Sequence, residues 1–117
     1  ARAEPLTDRA RRARRDLEDL EVVFKALAHE SRRHVLLVLH FRGGEMSAGD
    51  IAARFQCTWP TTTRHLGVLL EAGLVSVQQQ GRERVYRLEQ ERLARTVGDW
   101  LAWFERAPAG REPAPPS

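Results

Sequence analysis

The sequence predicts a mainly α-helical domain with one small β-hairpin, in the order helix-helix-helix-helix-strand-strand-helix. Three observations predict it. Apolar residues recur at three- and four-residue steps along most of the 117 residues. That period breaks once, at "LVSVQQQ" and "GRERVYRL", where β-branched residues and Gly81 read as two strands and a turn. Short glycine, serine and threonine signals, rather than long linkers, separate the helical stretches.

The chain divides into a basic flexible N-terminal arm over 1–15, a domain over 16–106 and a disordered proline-rich tail over 107–117. The arm holds six arginines against Glu4 and Asp8, whereas the whole chain carries only +3. A basic arm beside a folded domain suits nucleic acid or a solvated helix extension. From Asp16 the stripe Leu17, Leu20, Val23, Phe24 and Leu27 predicts a first helix. Ser31 is a candidate N-cap for a second, with Val35, Leu36, Val38 and Leu39 inward and Gly43-Gly44 ending it. Ser47 with Asp50 resembles a capping box for a third, which buries Ile51, Ala52 and Phe55. Thr58 caps the fourth, Pro60 sits in its first turn, and Leu66, Leu69 and Leu70 face the core until Gly73. A last helix over about 89–106 carries Leu93, Val97, Trp100, Leu101 and Phe104.

Some functions are disfavoured at once. No apolar run reaches the roughly 18 residues of a membrane span; the longest candidate is "HVLLVLHF". No signal peptide is visible, and one cysteine permits no internal disulfide, which fits a reducing cytoplasm. No nucleophile–base pair, phosphate-cradling glycine loop or carboxylate pair supports an enzyme.

The third and fourth helices start about eleven residues apart, the spacing of a helix-turn-helix. With the hairpin after them they make a winged helix-turn-helix. In that geometry the second helix enters the major groove of DNA with its N-terminal residues at base edges. The wing tip reaches the backbone or minor groove, where arginine is favoured. "CTWPTTTRHL" is then a reading surface rather than a poor helix start: small hydroxyls let the backbone approach the bases. Candidate contacts are Trp59, Thr61, Thr62, Thr63, Arg64 and His65, with Ser47 on the preceding helix and Arg82 and Arg84 at the wing. Thr62 also lies toward the core side. His65 either donates to a phosphate or packs at the margin, and Trp59 either anchors the turn or stacks over sugar.

The stretches "KALAHESRRHVLLVL", "DIAARF", "TTTRHLGVLLEAGLV" and "GRERVYRL" together resemble the ArsR/SmtB family of bacterial winged-helix repressors, over about residues 20–105. The resemblance implies a homodimeric repressor on a roughly palindromic DNA operator, paired through its first and last helices. Here those offer Leu17, Leu20, Phe24, Val97, Trp100, Leu101 and Phe104. So apolar an end helix independently favours pairing.

Metal-sensing members resembled here use a Cys-x-Cys before the recognition helix or Asp and His pairs on the last helix. Ser47 and Gly49 stand at the first site, and the last helix has Asp99 but no histidine. His29, His34, His40 and His65 form no i, i+4 pair. No metal or other cofactor is therefore expected. Two other signals stay open: oxidation of Cys57 near a helix start, and a small ligand in a cavity at Trp100 and Trp103. The alternative to DNA binding is a winged helix used as a protein-interaction module.

Overall fold

A computed structural model describes residues 8–55 and 58–105. Residues 1–7, Cys57, and the tail over 107–117 lie outside the described residues. The elements are α1 (Asp8–Leu27), α2 (Glu30–Phe41), β1 (Glu45–Ser47), α3 (Ala48–Phe55), α4 (Trp59–Glu71), β2 (Val75–Gln80), β3 (Glu83–Leu88) and α5 (Gln90–Ala102). A short 3-10 turn, Trp103–Glu105, follows α5 and holds Phe104.

Four details differ from the sequence expectation. First, α1 starts at Asp8, not Asp16, so the second half of the expected flexible arm is helical. Arginine is a good helix former, and Asp8 in the first turn complements the helix dipole. Second, α2 is capped by His29, not Ser31. His29 adopts an extended conformation, and its Nδ1 accepts from the Ser31 N–H at 3.3 Å. Third, the sheet has three strands in the order β1-β3-β2, all antiparallel. The added strand β1 sets Met46 opposite Tyr86, and both are buried. Fourth, α5 stops at Ala102.

The helix ends follow their sequence signals. Gly43 and Gly44 both have positive φ, and the Gly44 N–H reaches back to the Leu39 carbonyl at 2.8 Å. Gly73 closes α4 at φ +73°, with the Leu74 N–H on the Leu69 carbonyl at 3.0 Å. Asp50 N–H donates to Ser47 Oγ at 3.1 Å, the expected cap of α3. Gly81 at φ +62° opens a two-residue turn between Gln80 and Glu83.

One core joins these elements. Val23 and Ala26 of α1 meet Val35, Leu36, Val38 and Leu39 of α2, Ile51 of α3, and Leu66 and Leu69 of α4. Leu74, Val75 and Tyr86 close it from the sheet side. This packing fixes α3 and α4 to the base of the hairpin.

Candidate nucleic-acid interface

The start of α4 is built by its threonines. Thr58 adopts an extended conformation, and its Oγ1 accepts from the Thr61 N–H at 3.4 Å. The same hydroxyl donates to Thr61 Oγ1 at 2.9 Å. Pro60 occupies the first turn, where a missing N–H costs nothing. Thr62 Oγ1 donates to the Thr58 carbonyl at 3.1 Å and is 4% exposed.

The candidate contacts therefore separate. Thr63 and Arg64 are exposed, Thr61 is half-buried, and Trp59 is 52% exposed. Thr62 faces inward, as its core-side spacing predicts, and His65 takes the packed alternative at only 7% exposed, so neither is open to contact DNA. The reason is the helical period: Thr62, His65, Leu66 and Leu69 share one face, and the core takes it. Ser47 is half-buried and its Oγ is engaged by the α3 cap.

His65 has a structural task instead. Its ring lies 4.5 Å from His29, centroid to centroid. Its Nδ1 lies 3.4 Å from Arg32 Nη1. Burial pushes its pKa below the ordinary value, and electrostatic repulsion of its charged form by the nearby His29, Arg32 and Arg64 pushes it further the same way. A neutral ring can then accept from Arg32. Arg32 also donates from Nε to the Ala26 carbonyl at 2.7 Å and from Nη2 to the Lys25 carbonyl at 3.2 Å. Arg33 donates to the Leu27 carbonyl at 2.6 Å. These bonds satisfy the last carbonyls of α1 and tie them to α4. The sequence offered no signal for Arg32, because a bond to backbone carbonyls six residues away leaves no spacing to read.

At the wing, Arg82 and Arg84 are both exposed. Arg84 is steadied by its guanidinium carbon, 5.7 Å from the Tyr86 ring centroid. Gln78, Gln79 and Gln80 are exposed beside them, and Gln79 Nε2 donates to the Gly81 carbonyl at 3.1 Å. Arg54 on α3 is exposed as well.

The predicted pairing residues also divide. Leu17, Phe24, Trp100, Leu101 and Phe104 are exposed. Leu20 is buried within the chain itself, and Val97 packs half-buried on the core, so neither is free for a partner. Trp100 meets Phe24 edge-on at 5.4 Å and Phe104 at 5.1 Å. A groove of about 520 Å³ separates α1 from α5. Trp100 lines it but Trp103 does not, and most of its other lining residues are charged, which disfavours an apolar ligand site. Cys57 lies outside the described residues. Among the described residues no three His, Cys, Asp or Glu side chains come together to hold a metal ion. No described helix is long and apolar enough to cross a membrane.

This arrangement has counterparts in known proteins. A family model described as a helix-turn-helix domain matches residues 27–78. The transcriptional repressor SdpR of Bacillus subtilis is 35% identical over 82 residues, which cover 70% of this chain and 88% of SdpR. An ArsR-like transcriptional regulator from a Rhodococcus species superposes with a TM-score of 0.66 at 30% identity, covering 76% of this chain and 82% of that one. A homodimeric winged helix-turn-helix DNA-binding domain from Mycobacterium bovis, a possible ArsR-family regulator, superposes at 0.64 with 25% identity, over 96% of this chain and 100% of that domain. With its wing, its helix-turn-helix and these relatives, the chain belongs to the ArsR family of winged helix-turn-helix transcriptional regulators, a family of regulators and not of enzymes.

Proposed function

We propose that this protein is a homodimeric transcriptional repressor that binds a roughly palindromic DNA operator. The observation that carries the reading is the split along α4. Thr63 and Arg64 are exposed at its start while Thr62, His65, Leu66 and Leu69 hold it to the core. A helix so anchored presents its first turns to a major groove. Thr63 offers a hydroxyl and a methyl to base edges, and Arg64 reaches guanine or a phosphate. Arg82 and Arg84 bear on the flanking backbone or minor groove.

Pairing is supported by α5, which has no buried residue although it carries Leu93, Val97, Trp100 and Leu101. Of these Trp100 and Leu101 are exposed, and with Leu17, Phe24 and Phe104 they form an apolar face of the kind that marks an interaction site. Two copies related by a two-fold axis place two α4 helices on two half-sites. The relatives agree in kind: SdpR is named a repressor, and the Mycobacterium bovis domain is homodimeric and DNA-binding. Cytoplasmic residence follows from this role.

A mobility-shift assay with DNA flanking the gene tests the reading. A shift that survives excess nonspecific DNA and weakens with salt is expected. Binding without sequence selectivity, or none, overturns it.

A further inference from the structure

Helix α1 changes sign halfway along. Residues 9–15 carry Arg9, Arg11, Arg12, Arg14 and Arg15 with no acid among them, and residues 16–21 carry Asp16, Glu18, Asp19 and Glu21 with no base. The order opposes the helix's own electrostatics. Cations are favoured at a C-terminus and anions at an N-terminus, and an acid four residues ahead of a base stabilises more than the reverse. A block placed the wrong way round needs a reason outside the helix.

Three features of the fold supply one. Arg12, Arg15, Asp16 and Asp19 fall at helical steps of three and four, so they lie along one side of α1. Asp16 and Asp19 line the groove between α1 and α5, joined there by Glu91 and Asp99 of α5 and by Glu89 just before it, whose Oε1 accepts from Ser76 Oγ at 2.9 Å. Arg92 and Arg95 offset these only in part, and Arg92 Nε is engaged by the Ala72 carbonyl at 2.9 Å. The groove is therefore acidic, and Leu17 and Trp100 make it continuous with the exposed apolar face.

A side that runs from positive to negative is self-complementary about a two-fold axis, because an antiparallel copy meets it with the opposite sign. We propose that the α1–α5 groove receives the arginine block of a second copy, so that Arg12 and Arg15 of each protomer clasp the acidic groove of the other. The clasp rests on the homodimer reading above and fixes its orientation: parallel α1 helices would set like charges together.

Sedimentation equilibrium of the full chain tests it. Reversing the block with Arg12→Glu and Arg15→Glu is expected to raise the dimer dissociation constant on the order of tenfold. Reversing the α5 wall with Glu91→Arg and Asp99→Arg does the same, and combining the two sets restores pairing. The wild-type dimer weakens as sodium chloride rises from about 0.05 to about 0.5 M, which needs no variant to fold. Dimer strength indifferent to both reversals and to salt overturns the clasp while leaving the dimer intact. Reversal of the block that weakens operator binding at unchanged dimer strength also overturns it and assigns the arginines to DNA. A chain monomeric at every salt concentration overturns the dimer reading itself.

Discussion

The His29 and His65 rings meet with centroids 4.5 Å apart and planes tilted by 55°. One imidazole caps α2 and the other is buried in α4, so the pair couples the entry of one helix to the interior of another. Burial, and then its neighbours His29, Arg32 and Arg64, hold the His65 pKa below the ordinary value of 6.5. On acidification the unfolded chain takes up this proton first. The His65 contribution is therefore whole above the unfolded value and is lost as pH falls toward the lower folded value. Urea unfolding at about pH 7.5 and about pH 5.5 checks it. The midpoint falls at the lower pH, and His65→Gln shrinks that difference.

Gly73 meets two demands at once. Its φ is +73°, and a Cβ there would lie 2.6 Å from Arg92 Nε. Gly73→Ala is expected to cost about 1–3 kcal/mol, through backbone strain and displacement of Arg92 from the Ala72 carbonyl. Gly43→Ala, at φ +89° but facing open space, costs less. Thermal unfolding of both variants separates the steric part from the conformational part.

The proposed reading face divides neighbouring threonines. Thr63→Ala and Arg64→Ala each weaken operator binding by about 1–3 kcal/mol. Thr62→Val, next to them but buried, leaves operator affinity of the folded protein near wild type and acts on stability instead. Fluorescence anisotropy with labelled operator, beside a melting curve, distinguishes the two classes.

Trp100 holds Phe24 and Phe104 edge-on at the proposed pairing face. Trp100→Glu introduces a charge there and is expected to give a monomer by sedimentation. Leu20→Ala, inside the chain itself, lowers the melting temperature.

Most of the fold was legible because its signals are local. The Thr58 cap, the Ser47 cap, the positive-φ glycines and the hairpin around Gly81 all act within a few residues. What escaped depends on partners distant in sequence. Strand β1 spans three residues with only Met46 buried, too short for an alternation to register, and it exists because β3 pairs with it. Thr62 already lay on the core side by its spacing, but the facing of His65 was decided by which arc of α4 the core claimed. Leu20 and Leu17 share one apolar stripe, but only the contact with α5 tells which one stays within the chain. The arginines of the arm admit either nucleic-acid contact or a helix extension by charge alone, and the helix of Asp8–Leu27 takes the second.

The short strand β1 has a mechanical consequence. Ser47, which caps α3, is the register partner of Val85, one residue from the wing arginine Arg84. Helix-turn-helix and wing are thereby bolted into a single jaw whose two tips cannot be adjusted separately. Two such jaws would work as a caliper. A half-site spacing of about 34–36 Å is what DNA demands of it, and only the hinge between copies can set that opening.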